Sequence, residues 1–468
     1  MTPRTAAFTL ASLLALALAS DLLWMPVQVS DSLDEIIDAR ASPSAWASFT
    51  ESLRSDDNHL RPLRVAQTKV LYDLAAGHYW LAYRGFHAAL LVTAVLLFTA
   101  ALRVSTATDA AAAALALVVF IGSRTFRGNI EEAFPVNHFL EVVVLCLLTL
   151  NLARSSRQAW WLDAAAVFAL AAAALTLESG LLVWVVASGA WLVGWRGISR
   201  WGLVAMTAVL TAYVVLRLIY VASGTGLPDR STGFGFTMLD PADLQQRFGD
   251  RALVLYAYNV AASALAVLFA EPRNGVFIAT RTLMSNELEP WLVIPVVTSA
   301  VTTLLIVCTA AHTVRRSDVR DDTIRWIVLS TIVLVANAVV SYSYTKDEIT
   351  GVAGAFYALA AFAAVRVVLN TATMTRSAAT ATAVTIVALL SIGWSVRAAG
   401  MHYLLRAQAF RHQNDWVRLP GMWQRSGRWP DDAAAQQLIT TLREAAVDMD
   451  LPNPRVGERW WVARIWED

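Results

Sequence analysis

Three carboxylates crowd the start of the first polar segment: Asp31, Asp34 and Glu35 follow an apolar block within a few residues. A carboxylate tethered that closely to a helix end is held at a defined place. It can take a proton from a hydroxyl as the hydroxyl attacks. Asp-Ser-Leu-Asp-Glu also has the composition of a helix N-terminus, where acids cap and complement the dipole. Farther along the same segment runs Asp57-Asn58-His59-Leu60-Arg61-Pro62-Leu63-Arg64. Arginine offers a planar fork of donors that suits a phosphate. Lys69 follows two helical turns after Arg61. The alternative for these cations is anchoring to lipid headgroups.

Other charged residues gather at a few further places. Residues 123–138 hold Arg124, Arg127, Glu131, Glu132, Asn137 and His138. Carboxylates with His or Asn can bind a divalent cation, and a local salt-bridge network explains the same residues. Glu178 interrupts an apolar run in Leu177-Glu178-Ser179-Gly180. An ionisable residue inside such a run is a functional-site hypothesis, unless Ser179-Gly180 marks a tight turn that leaves it at an interface. Lys346, in Tyr344-Thr345-Lys346-Asp347-Glu348, and Arg273 and Arg281 are further candidates to meet a phosphate.

The elements that must position these residues are membrane helices. The chain is 57% hydrophobic and 16% charged, where a soluble chain carries about a quarter charged residues. Its mean hydropathy is positive. The apolar residues come in long blocks, and about 20 of them span a hydrocarbon core as a helix. A net charge of +1 excludes a nucleic-acid footprint. Cys146 and Cys308 both fall inside apolar blocks and read as neither a disulfide nor a metal site. The first block, 7–27, reads as an uncleaved span, with a signal peptide as the rival reading. Further blocks lie at 86–102, 110–122, 137–153, 162–177, 180–194, 201–221, 252–270, 290–311, 325–342, 351–370 and 381–396.

Short arginine-bearing connections alternate with connections poor in positive charge, which by the positive-inside rule puts the N-terminus in the cytoplasm. The basic segment 312–325 keeps this pattern only if 252–270 is re-entrant or interfacial. The expectation is therefore about eleven spans with the C-terminus outside. Outward loops fall at 28–83, 123–136, 223–289 and 343–350. Within the first, residues 65–80 read as an amphipathic helix with Val65, Thr68, Leu71, Tyr72 and Ala75 on one face. Tyr79, Trp80 and Tyr83 suit an interface. In the tail, Pro430-Asp431-Asp432 reads as a helix start, with Leu438, Ile439 and Leu442 as its apolar stripe. The tail is expected to pack on the membrane domain.

Taken together, these features resemble the C-type (GT-C) integral-membrane glycosyltransferases, among them protein O-mannosyltransferases and bacterial aminoarabinose transferases. The resembling residues are Asp31 and Asp34-Glu35, His59-Leu60-Arg61-Pro62-Leu63, the interfacial helix, Glu131-Glu132, the Leu177-Glu178-Ser179-Gly180 turn and the late outward excursion. The resemblance implies an all-α polytopic membrane domain over 1–396 with an extracytoplasmic segment at 397–468, in the inner (plasma) membrane. It implies a polyprenyl-phosphate-linked sugar as donor, inversion at the sugar, and a glycan, lipid or protein acceptor. The base would be Asp34, with Asp31 its close rival. Arg61, Lys69, Arg281 and Lys346 would meet the leaving phosphate, and Glu35, His59 and Glu178 would shape the acceptor side. Metal dependence stays open: Glu131 and Glu132 are the residues offered to a Mg or Mn ion. A secondary transporter or flippase of a lipid-linked or anionic substrate is the alternative. It predicts inverted repeats and charges at mid-span, whereas the charges here concentrate in outward loops.

Overall fold

The structure, a computed structural model, describes residues 1–29, 31–54, 60–131, 134–224, 232–234, 237–239, 241–269, 284–285, 290–315, 322–374, 378–426 and 429–453. Helix α1 (Pro3–Leu23) starts at Thr2, whose hydroxyl accepts from the Thr5 amide, with proline in the first turn. The polar segment behind it folds into three helices, α2 (Asp31–Ala41), α3 (Ala45–Ser52) and α4 (Pro62–Ala75). Ser44 caps α3 and Pro62 opens α4, positions these residue types favour. Helix α4 stops where Ala76 and Gly77 take positive φ angles of 47° and 95°. The following helix, α5 (Tyr79–Leu102), carries Tyr79, Trp80 and Tyr83. The expected single helix over 65–80 is thus two helices joined at a left-handed turn. Of its expected face, Thr68 and Ala75 are buried and Val65, Leu71 and Tyr72 half-buried.

The bundle continues through α6 (Ala107–Gly122), α7 (Arg124–Glu131), α8 (His138–Ala153), α9 (Trp160–Thr176), a 3₁₀ turn (Glu178–Leu181), α10 (Leu182–Leu192) and α11 (Arg200–Gly224). A capping box between Thr106 and Asp109 starts α6, and α7 departs from α6 at 56°. A short hairpin follows, β1 (Thr232–Phe234) antiparallel to β2 (Thr237–Leu239). Then come α12 (Pro241–Phe248), α13 (Ala252–Phe269), α14 (Pro290–Arg315), α15 (Asp322–Val340), a 3₁₀ turn (Glu348–Thr350), α16 (Gly351–Met374), α17 (Ala378–Ser426) and α18 (Ala433–Val447). Among the described residues, eight helices are long and apolar enough to cross a membrane, or nine if the bent α6–α7 pair is one span. Helices α8, α9 and α10 are apolar but shorter. The chain is an all-α polytopic membrane protein, apart from that hairpin.

Polar contacts define the two ends of the bundle. At one end, Arg154 and Arg366 approach Asp322 at 3.9 and 3.4 Å, and Asp163 accepts from the Ser199 amide and hydroxyl at 2.8 and 2.6 Å. These tie the end of α8 to the start of α15, and the start of α9 to the start of α11. At the other end lie α2–α4, α7 and the 3₁₀ turns Glu178–Leu181 and Glu348–Thr350. Here the buried Arg84 of α5 donates to the carbonyls of Met25 and Pro26, both at 2.9 Å. We call this the first-loop face.

Helix α13 is one unbroken helix. Close to its midpoint, Asn259 donates to the Tyr342 carbonyl just past α15, at 2.9 Å. Near its end, the Leu268 carbonyl accepts from Thr303 in the middle of α14, at 2.7 Å. Its second half therefore runs from the level of the first-loop face towards mid-bundle.

Helix α17 is 49 residues long, so it does not end with the apolar block at 396. Its extension meets the beginning of the chain: Trp416 donates to the Val27 carbonyl at 2.6 Å. Asp432 caps α18. The cap bond from the Ala434 amide, with Arg40 nearby, holds the Asp432 carboxyl below its usual value. Leu438, Ile439 and Leu442 of α18 are buried in one cluster with Leu33 and Ile36 of α2 and Trp416 and Leu419 of α17. Arg40 and Asp432 form an ion pair across that junction. The tail packs on the membrane domain, as expected, and specifically on the acid-bearing helix of the first loop.

Candidate active site

Helix α2 has two faces. Leu33 and Ile36 are buried against the tail and Ala39 is buried too, while Asp34 and Asp38 are exposed and Glu35 is half-buried. Glu35 is the carboxylate that turns inward, forming an ion pair with Arg64 of α4. Arg64 is buried. Its guanidinium lies over the Phe134 ring at 4.5 Å, and its Nη1 is 3.4 Å from His138 Nε2. The other His138 nitrogen, Nδ1, is 3.3 Å from the Val136 carbonyl, which suits an Nδ1–H donor and leaves Nε2 to face the arginine. Arg61, Arg64 and Lys346 all act electrostatically on this ring. One turn below, Gln67 donates to Glu141 at 2.8 Å. The N-terminal turns of α4 and α8 thus bring the first loop, His138 and the connection at 346 to one place.

A second group adjoins it through Arg61. The Arg61 Nε and Nη2 both donate to Glu178 Oε2, at 3.1 and 2.8 Å. Arg217 of α11 donates to Glu178 Oε1 at 3.1 Å. Glu178 reaches this position because the chain turns sharply after α9, with the Gly180 amide donating to the Leu177 carbonyl at 2.8 Å. A Cβ at Gly180 would collide with the backbone of Ala173 and Ala174, so the turn closes only with glycine there. Apolar Leu60, Ala174 and Tyr213 wall this group.

The remaining expected residues divide. Lys346 approaches Glu348 at 3.3 Å, beside Arg124, which meets Asp347 at 3.2 Å. Lys69 turns away: it pairs with Asp73 at 2.8 Å and lies 5.3 Å from the Tyr72 ring. Glu131 is held by Arg127 of its own helix at 3.1 Å. His59, Glu132, Arg281 and the side chain of Asp31 lie outside the described residues. Arg217, Gln67 and Tyr213 were missed by the sequence reading. An arginine inside an apolar block is itself a signal, and Arg217 carried it.

No family model matches the chain, and no curated protein matches it. Among solved structures, the crystal structure of ArnT from Cupriavidus metallidurans bound to undecaprenyl phosphate matches with 13% identity and a TM-score of 0.40, over 94% of this chain and 76% of that one. A likeness at that level assigns no activity, so the chemistry is argued from the residues here.

The site is a carboxylate-bearing helix edge beside a cluster of cationic side chains at one end of a membrane bundle. A carboxylate can accept a proton, and arginine and lysine can hold an anion. Glu131 is engaged by an arginine, and among the described residues no three His, Cys, Asp or Glu side chains gather as a ligand set.

Proposed function

We propose that the chain is a membrane glycosyltransferase of the GT-C kind. In this reading it moves a sugar from a polyprenyl-phosphate donor to an acceptor hydroxyl on the extracytoplasmic side, with inversion. The observation that carries the reading is the contact between α2 and α4. Through Glu35 and Arg64, the acidic helix of the first loop abuts the group of Arg61, Arg64 and Lys346 around His138. Such a site can serve both ends of one displacement.

Asp34 takes the proton from the acceptor O–H as that oxygen bonds to the anomeric carbon. The bond from the anomeric carbon to the phosphate oxygen breaks, and its electron pair leaves with the polyprenyl phosphate. Arg61 and Lys346 offset the charge that develops there. Glu35, held by Arg64, adds to the packing of Leu33 and Ile36 on the tail in setting the rotation of α2 and hence the position of its exposed neighbour Asp34. Asp31, in the first turn of α2, is the second candidate for the base.

The contacts also support about eleven crossings with the first loop and the tail on one side.

The decisive experiment supplies purified protein with labelled polyprenyl-phosphate sugars and follows sugar release to acceptors extracted from the envelope. Asp34→Asn is expected to lower turnover about 10²-fold or more, the scale of general-base loss, with yield and donor binding kept. Asp31→Asn is expected to do less; the reverse order moves the base to Asp31. Full activity in the double variant would eliminate a first-loop base.

A further inference from the structure

The end of the bundle opposite the first-loop face carries positive charge that the protein does not offset. Two connections lie side by side there, 154–159 between α8 and α9 and 193–199 between α10 and α11. The Gly197 amide donates to the Ala153 carbonyl at 2.8 Å, and Gln158 donates to the Arg196 carbonyl at 2.7 Å. A Cβ at Gly197 would collide with the Leu152 and Ala153 carbonyls, so the two connections pack this closely only with glycine there.

Residues 154–163 and 193–201 hold four arginines, Arg154, Arg157, Arg196 and Arg200, and one carboxylate, Asp163. Asp163 is taken by the amide and hydroxyl of Ser199. Arg154 shares Asp322 with Arg366. Arg325 of α15 adds another cation beside the second connection: its Nη2 lies 3.8 Å from where a Cβ on Gly194 would sit. Among the described residues, no carboxylate pairs with Arg157, Arg196, Arg200 or Arg325. The first three are exposed and Arg325 is half-buried.

Tryptophans mark the level of these cations. Trp160 and Trp161 open α9 and Trp201 lies in the first turn of α11, and they are 81%, 54% and 67% exposed. Exposed indoles at the ends of membrane helices belong among lipid headgroups. The arginines are tied to the same level: Arg200 lies 5.3 Å from the Trp201 ring and Arg196 lies 3.7 Å from the Trp191 ring. A guanidinium fork suits a phosphodiester, and basic clusters at the ends of membrane helices attract anionic headgroups. The indoles give the lipid's glycerol and first methylenes a surface, which a free phosphate cannot use.

We propose that this corner, built by Arg157, Arg196, Arg200 and Arg325 with Trp160, Trp161 and Trp201, docks the headgroup of an anionic glycerophospholipid of the phosphatidylglycerol type. The lipid sits in the leaflet remote from the first-loop face. The proposal does not rest on the transferase reading, because none of these residues belongs to that site.

The test uses the full chain in neutral detergent. Its thermal stability is titrated with dioleoyl phosphatidylglycerol, dioleoyl phosphatidylcholine and glycerol phosphate. Phosphatidylglycerol should stabilise the protein, with little effect from the other two. Arg157→Gln/Arg200→Gln should raise the half-saturating concentration of phosphatidylglycerol about tenfold or more, the scale for removing two surface cations from an anionic lipid. Trp201→Ala should raise it by a smaller factor. Arg411→Gln, exposed on the far part of α17 at the first-loop face, should titrate as the unaltered protein does.

Equal stabilisation by phosphatidylcholine would overturn the proposal, since charge would then not select the lipid. Equal stabilisation by glycerol phosphate would overturn it too, leaving an anion site with no lipid role. Unchanged titration in Arg157→Gln/Arg200→Gln would move anionic-lipid binding away from this corner. If that variant does not fold, unchanged titration in Arg196→Gln together with Trp201→Ala overturns the site equally.

Discussion

Glu178 is the residue on which most depends. It lies 117 positions from Arg61 and 39 from Arg217, and removing its charge leaves two guanidinium groups facing each other. Breaking a buried pair by deleting one partner costs about 3 kcal/mol or more; solvent reaches this trio, so Glu178→Gln is expected at or below that value. Arg217→Gln should cost less, because the Arg61–Glu178 pair survives it. Thermal unfolding in detergent orders the two, and a more stable Glu178→Gln protein would show that the carboxylate does not hold the arginines in place. The sequence flagged both Arg61 and Glu178, but as separate features, because nothing in local spacing says that the two ends of α4 and α9 meet. It could not tell which carboxylate of Asp34-Glu35 turns inward. That depends on the rotation of α2, which is fixed by Leu33 and Ile36 packing on a tail some 400 residues away.

At the scale of elements, α2 is held from behind by α18. Ile439 is fully buried in the shared cluster, so Ile439→Ala is expected to cost about 2–4 kcal/mol of local packing. That loss should appear as faster proteolysis around 427–432 with the membrane helices intact. Unchanged cleavage would show that the tail is held by other contacts.

The same assay has a defined pH response through Asp432. Its carboxyl is depressed in the folded chain, so its contribution is present above the unfolded value of about 3.9. It is lost only as pH falls through the lower folded value. Cleavage should be flat between about pH 5 and 8 and rise in acid. A step near neutrality would implicate another group.

The helix start at Pro430-Asp431-Asp432 and the stripe at Leu438, Ile439 and Leu442 were both legible, because caps and apolar periodicity are local signals. The end of α17 was not. Hydropathy reports where the apolar run stops, whereas a helix continues into water as long as its backbone bonds and one packed face persist. The break at Ala76–Gly77 was hidden for the opposite reason: the aromatic residues beyond it prolonged the apparent amphipathic pattern.

For the whole molecule, the side-by-side packing of α2 and α18 sets the first loop and the tail on one face, with the chain's N-terminus on the other. Single cysteines at Ser55 and Ser426 should both react with an impermeant thiol reagent in intact cells, and a cysteine at Thr5 should not. Labelling of only one of the first pair would break the odd-span arrangement. Arginine alternation leads to the same expectation, because charge bias acts on every short connection alike. Span lengths were less legible. Helices α8, α9 and α10 have 16, 17 and 11 residues, and short helices inside a bundle depend on their neighbours to reach both faces.

The length of α17 constrains how this chain can change over time. At about 1.5 Å per residue, 49 residues make a rod of about 73 Å. Its inner half packs in the bundle, while Trp416 and Gln413 beyond it grip the Val27 carbonyl and the end of α18. One residue inserted between His402 and Gln413 would turn everything beyond it by about 100° and lift it by about 1.5 Å. Seven inserted residues would nearly restore the rotation but displace the grip by about 10 Å. No small insertion or deletion restores both, so this stretch can exchange residues on its outer surface while its count of residues stays locked. An insertion scan scored by tail protection should therefore show a block there with no permitted phase.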